Sequence, residues 1–258
     1  LKRYAIDNLP FEDVKKIAAH EAIKSNHKKV AVIGSGPGGL SASYYLALMG
    51  YDVTIFEKLP KAGGMIRYGI PEYRLPYESL DKDIKAITQL GVKIEINTKV
   101  GKDITIVKLE KDFDAVFAST GLHEGRSTRV AGTDHPMVFQ AIDLLRDVTE
   151  GKKIEVAEKI VVIGGGNVAM DIARTLARLQ NQKYGKVQLT LTSLETEDIM
   201  PADVEEIVES REENILIEAG WGPKNIEIED GKIKGLNVIR CLAVFDKDGG
   251  FNPSRSSG

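Results

Sequence analysis

Two stretches of the chain place four apolar, mostly β-branched residues in a row after a lysine and close them with glycines. The first, KKVAVIGSGPGGL from Lys28, is echoed by EKIVVIGGGNVAM from Glu158, an internal repeat of about 130 residues. That period is too long for a solenoid and suits a duplicated nucleotide-binding unit. In each copy the continuous apolar run reads as a buried parallel strand, and the glycines as a tight turn. Beyond the turns, Leu40, Tyr44, Ala47 and Leu48, and then Val168, Ile172, Leu176 and Leu179, recur at helical spacing. Each strand should therefore feed a helix with one face to pack on a sheet. Second strands are predicted at Asp52–Glu57 and Val187–Leu191.

Between the repeats, the pattern predicts a helix over Leu80–Leu90 and strands over Lys93–Asn97 and Ala115–Ala118, which complete a first sheet. Ahead of it, Phe11, Val14, Ala18 and Ala22 have the spacing of an amphipathic helix after Pro10, followed by the polar stretch Lys24–Lys29. The Gly- and Thr-rich stretch Gly121–Thr133, a helix over Ala141–Val148 and a turn at Gly151–Lys153 read as the crossing into a second domain. The expected class is α/β, with two Rossmann-like doubly wound units. The expected organisation is an entry segment over 1–27, a first domain over 28–133 and a second over 134–258.

Composition narrows the chemistry. At 258 residues there is room for two ordinary domains, and 42% apolar with 28% charged residues gives no sign of disorder. A net charge of -3 without any Lys/Arg block argues against nucleic acid and anionic lipid as partners. The longest apolar runs, Val30–Ile33 and Ile160–Ile163, fall far short of the ~20 residues that cross a bilayer. Cys241 is the single cysteine, so neither an internal disulfide nor a thiolate cluster can form within this chain. His20, His27, His123 and His135 show no ligand spacing, and no metal site is expected. Leu1–Leu9 shows no secretory pattern, and a cytoplasmic setting fits this cysteine usage.

The glycines carry the chemistry. Gly34, Gly36 and Gly39 form G-x-G-x-x-G between a predicted strand and a predicted helix, with Pro37 and Gly38 tightening the loop. Such a loop lets backbone approach a pyrophosphate while the helix N-terminus offers its unpaired N–H groups. Glu57, 23 residues after Gly34 at the end of the next strand, is placed to accept hydrogen bonds from a ribose. The second cluster, Gly164, Gly165, Gly166, Asn167, Val168 and Ala169, is the G-x-G-x-x-A variant, with a structural βα turn as its plainer reading. Two dinucleotide sites in one chain suggest a flavin paired with a nicotinamide. In such a pair the cofactors do the chemistry, so no catalytic side chain is expected.

The run KAGGMIRYGIPEYRLP over Lys61–Pro76, with LKRYAID, GSGPGGLSA, FASTG at Phe117–Gly121 and GGGNVAMD, closely resembles the small (β) subunit family of glutamate synthase. That group includes the FAD/NADPH half of dihydropyrimidine dehydrogenase. The resemblance covers essentially the whole chain. It implies an FAD domain with an NAD(P)H domain inserted in it, preceded in relatives by an iron-sulfur segment. Gly34, Gly36, Pro37, Gly38 and Gly39 would then hold the FAD pyrophosphate and Glu57 its ribose. Gly64 and Arg74 would approach the flavin side, Val100 would contact adenine through backbone, and Thr120 and Gly121 would line the cofactor. Taken on its own residues, Arg74 would be a surface arginine in a turn set by Pro71 and Pro76.

The departures from the family pattern also carry expectations. The cysteine-rich segment that precedes LKRYAID in relatives is absent, and relatives continue past FNPS into a last FAD-contacting segment, so the chain reads as a fragment that would hold FAD weakly. NADPH-using relatives carry Tyr-Arg-Arg where this chain has Ser193, Leu194 and Glu195, which favours NADH over NADPH at a second site built on Gly164, Gly166, Asn167 and Val168. Against this, Glu195 could point into solvent while Lys183, Lys186 or Arg211 supplies positive charge. The expected activity is hydride transfer from NADH or NADPH to FAD, with electrons passed to an iron-sulfur segment or subunit and a catalytic large subunit. A nucleotide-binding module without turnover and a pyridine nucleotide:disulfide reductase relative are the competing readings. The latter lacks a redox Cys pair here.

Overall fold

The computed structural model describes residues 24–125, 128 and 130–256, with 4, 8–10, 12, 13 and 16 of the N-terminal stretch. The helix expected on Phe11, Val14, Ala18 and Ala22 lies outside the described residues. The chain divides into two compact units, Leu1–His123 and Glu124–Gly258.

In the first unit, strands β1 (Lys29–Ile33), β2 (Asp52–Phe56), β3 (Lys93–Glu95) and β4 (Ala115–Ala118) form a parallel sheet in the order β3-β2-β1-β4. Its helices are α1 (Pro37–Leu48), the single turn α2 (Met65–Tyr68), α3 (Tyr77–Thr88) and α4 (Ile106–Asp112). Because side chains alternate across a strand, Val30, Val32, Val53 and Ile55 meet Leu40 and Ala47 of α1 on one face, with Ile84 and Ile87 of α3 packed against them. Ala31 and Phe56 meet Leu109 of α4 on the other, and Phe113 stands edge-on to Phe56 at 5.8 Å. Cover on both faces explains why these strands are continuous apolar runs rather than alternating ones. Pro37 starts α1 with φ already set for a helix, and α3 begins straight after Pro76, three residues before the predicted Leu80. The third strand stops at Glu95 rather than Asn97, where the backbone turns left-handed with φ 54°.

The second unit holds α5 (Ala141–Thr149), β5 (Ile160–Ile163), α6 (Asn167–Tyr184), β6 (Leu189–Ser193), α7 (Val204–Glu212) and β7 (Leu216–Ala219). The strands are parallel, in the order β5-β6-β7. Every residue of α6 from Ala169 to Ala177 is buried, Asp171 and Arg174 included, so Asp171 does not face solvent. The expected strand Val187–Leu191 sits two residues later, which carries Ser193 into its end. Past β6 the periodicity predicts no element, yet α7 and β7 extend the parallel unit, and β8 (Trp221–Glu229), β9 (Lys232–Phe245) and β10 (Phe251–Arg255) form an antiparallel sheet. Asp230 and Gly231 close the β8–β9 hairpin with φ 52° and 69°, the left-handed pair that a two-residue turn between twisted strands requires. Ile226 N donates to Ala131 O at 2.9 Å, which ties residues grouped by sequence with the first domain to the second unit. Among the described residues no helix is long and apolar enough to cross a membrane.

Candidate functional site

The first glycine loop sits where β1 ends and α1 begins. Gly34 takes φ +100°, and a Cβ on Gly39 would run into the Gly34 carbonyl oxygen, so α1 can start this close to the strand only without a side chain there. Gly34, Gly36, Pro37 and Gly38 line a groove of about 290 Å³, near the lower end of the ~300–1,000 Å³ of ligand pockets. Glu57, Gly64, Val100, Thr120 and Gly121 line the same groove. Parallel order brings them together, since the C-terminal ends of β1, β2 and β4 lie side by side.

Gly64 belongs to the GG run and takes φ +53°; a Cβ on it would stand 2.5 Å from Gly36 Cα. The two glycine segments therefore abut, and a bare backbone surface is what a pyrophosphate needs to approach main-chain N–H groups. Glu57 is 4% exposed. Its Oε2 accepts from Ser35 N at 2.9 Å and Ser35 Oγ at 2.6 Å, and its Oε1 accepts from Leu59 N at 2.8 Å. An ionised carboxylate has about four acceptor positions, so Oε1 keeps one for a hydroxyl in the groove. The cradle fits a dinucleotide such as FAD.

Of the residues expected around the first nucleotide, Gly39 and Arg74 are not in the lining. Gly39 acts behind it, by packing. Arg74 is half-buried in the turn after Pro71, whose carbonyl accepts from Arg74 N at 3.0 Å. The buried guanidinium of this run is instead Arg67, 3% exposed. It donates to Ala62 O at 2.6 Å, pairs with Asp81 and lies 5.4 Å from the Tyr77 ring centroid. Arg67 thus fixes the turn before Gly63 onto α3. Lys58, Met65, Thr98, Lys99, Ser119 and His123 also line the groove, and none was singled out from sequence. Lys58 could have been, as the neighbour of the strand-end acid. Lys99 and Thr98 reach the groove because Thr98 N donates to Glu57 O at 2.8 Å, a contact that no local spacing announces.

The second loop has the same plan with different contacts. Gly164 N donates to Thr192 O at 2.8 Å, and Ala202 N to Gly165 O at 3.0 Å. Gly166 is the N-cap of α6 without a side-chain cap bond, so the helix N-terminus keeps donors to offer. Asn167 spends its amide on Asp203: Asp203 N donates to its Oδ1 at 2.8 Å and its Nδ2 donates to Asp203 Oδ2 at 2.9 Å. Val168, predicted on the packing face, is 45% exposed in the first turn. Glu195 follows β6 by two residues, and its Oε2 lies 2.8 Å from where a Cβ on Gly165 would stand. Ser35 and Gly165 hold the same place in their loops, so each unit seats an acid against the second residue of its glycine loop.

A family model described as pyridine nucleotide-disulphide oxidoreductase matches residues 28–247. The chain is 44% identical to the NADP(+)-dependent formate dehydrogenase subunit beta of Moorella thermoacetica, over 86% of this chain and 31% of that one. It is 36% identical to the NAD-dependent dihydropyrimidine dehydrogenase subunit PreT of Escherichia coli (strain K12), over 92% and 55%. To the glutamate synthase [NADPH] small chain of the same strain it is 30% identical, over 84% and 48%. The chain therefore spans about a third to a half of these relatives. In fold it is similar to Mycobacterium tuberculosis FprA in complex with NADPH, with a TM-score of 0.78 at 18% identity, over 90% of this chain and 68% of that one.

Proposed function

The chain belongs to the pyridine nucleotide-disulphide oxidoreductase family, and from that premise we propose that it binds FAD on its first glycine loop and a nicotinamide dinucleotide on its second. The observation that carries this reading is the repeated arrangement of a glycine loop with an acid seated against its second residue, Glu57 at Ser35 and Glu195 at Gly165. A bound flavin would supply acceptance of a hydride from NAD(P)H and release of single electrons to an iron-sulfur segment or subunit. The chain's own residues would bind and orient. Gly36 and Gly64 would present bare backbone to the pyrophosphate, and Glu57 Oε1 would accept from the adenosine ribose. Lys58 and Lys99, both in the groove lining, would add positive charge beside it. Val100, Thr120 and Gly121 would flank the cofactor.

In the second unit, Gly164, Gly166 and the start of α6 would take the pyrophosphate of NADH, with Asn167 and Val168 acting through backbone, and Glu195 would read the ribose. A catalytic large subunit as partner is supported by the names of the relatives, which are a beta subunit, a PreT subunit and a small chain. The lone Cys241 gives this chain no dithiol for disulfide reduction. Equilibrium titration with FAD, followed by anaerobic addition of NADH, tests the reading. Saturable FAD binding and loss of the flavin's visible absorbance on NADH addition are expected; folded protein that takes up no FAD overturns it. FAD uptake without any response to NADH would favour a binding module without turnover.

A further inference from the structure

Ser35 is fully buried, and it is not among the residues that line the groove. Its hydroxyl donates to Glu57 Oε2 at 2.6 Å and can accept from Gly63 N at 3.4 Å, while its carbonyl accepts from Gly63 N at 3.0 Å. Its own N–H donates to the same Oε2 at 2.9 Å. One residue thus joins the GG turn to the strand-end acid. With two donors already on it, Oε2 is saturated, and the capacity left to Glu57 lies on Oε1, which holds a single bond from Leu59 N. Rotation of the carboxyl would break both bonds to Ser35 at once.

We propose that Ser35 is the positioning residue of the first site, holding Glu57 so that Oε1 meets an adenosine ribose hydroxyl. Resting on the reading of this groove as an FAD site, the assignment adds how the site selects the adenosine half. Ser35 touches no ligand and acts through Glu57. In the second unit the same place is Gly165, whose missing side chain makes room for Glu195 Oε2, so there the acid is seated by shape. The first site holds its acid by hydrogen bonds, which the loss of one hydroxyl weakens.

The test uses the full 258-residue chain and FAD, ADP and FMN as probes, since FMN lacks the adenosine half. Ser35→Ala should weaken FAD and ADP about tenfold, the equivalent of ~1.4 kcal/mol, and leave FMN affinity unchanged. In a Glu57→Gln background the further effect of Ser35→Ala on ADP should shrink, the mark of two residues acting as one. Unchanged ADP affinity in Ser35→Ala, or equal losses for ADP and FMN, overturns the positioning role while leaving the FAD reading standing. Failure of wild-type protein to bind either FAD or ADP overturns both.

Discussion

Gly36 and Gly64 face each other across the mouth of the first loop, but the two are not equivalent. A Cβ on Gly64 would meet Gly36 Cα at 2.5 Å from a φ of +53°, whereas a Cβ on Gly36 would meet only Gly64 Cα, at an ordinary 3.8 Å. Any side chain at Gly64 therefore strains the fold itself, and one at Gly36 projects into space that the protein does not use. Gly36→Val should leave the unfolding midpoint close to wild type and weaken FAD by at least tenfold, ~1.4 kcal/mol or more. Calorimetry and FAD titration on the same sample check both halves; undiminished FAD affinity in this variant removes the pyrophosphate from Gly36. Arg67 and Arg74 show what single residues conceal. Seven positions apart in one motif, the first is buried against Asp81 and Tyr77 of α3 and the second only half-buried, and nothing in the local sequence says which will be enclosed.

At the scale of elements, α6 and α7 are joined by buried charge as well as by apolar packing. Arg174, 4% exposed in its side chain, reaches Glu206 at 2.6 Å, Glu209 at 2.5 Å and Glu213 at 3.0 Å, and Arg178 reaches Glu213 at 2.7 Å. Removing the guanidinium would break its ion pair with Glu206, itself buried, so Arg174→Met should cost the second unit about 3–5 kcal/mol in denaturant unfolding. Burial pushes the Glu213 carboxyl up, but the hydrogen bonds from Arg178 and Arg174 outweigh it and hold the group below its ordinary 4.5. A depressed folded value means stability that is present above pH 4.5 and lost as pH falls through the folded value. The wild type should lose this part on acidification, and Arg174→Met should lose less; equal acid sensitivity in the two proteins would show the network to be idle. Much of this architecture was legible. The β1–α1–β2 and β5–α6–β6 units follow from apolar runs, glycine turns and 3.6-residue spacing, which are local signals. The β8–β9–β10 sheet went unread although Asp230-Gly231 is a strong hairpin signal, and α4 although Thr105 caps it through a bond from Lys108 N. The groove's Lys58, Thr98, Lys99 and His123 come from separate stretches that only the sheet order gathers, so their shared site has no spacing to read.

For the whole molecule, the second site as proposed puts the choice of electron donor on the loop after β6. A 2′-phosphate is held by arginines, whose planar guanidinium matches it, while a carboxylate at a strand end accepts from the free 2′-hydroxyl of NADH. Relatives answer both ways, as one is named NADP(+)-dependent and another NAD-dependent. The rival sources of positive charge named from the sequence are each engaged by another group. Lys183 Nζ donates to Val156 O at 2.9 Å and Lys186 pairs with Glu158 at 2.6 Å, both at the far end of an 18-residue helix, which runs about 27 Å. Arg211 is paired with Glu197. Glu195 is half-buried against Gly165, so a phosphate brought to Gly165 would meet a carboxylate, and the arginine at that loop, Arg211, is already committed to Glu197. Losing one charge-assisted contact, ~1.5–3 kcal/mol, shifts preference roughly ten- to a hundredfold. NADH should therefore bind more tightly than NADPH by that factor, and Glu195→Arg should narrow or invert the ratio. Titration of both nucleotides against both proteins decides it: NADPH affinity equal to NADH in the wild type, or a ratio unmoved by the substitution, takes Glu195 out of the ribose site.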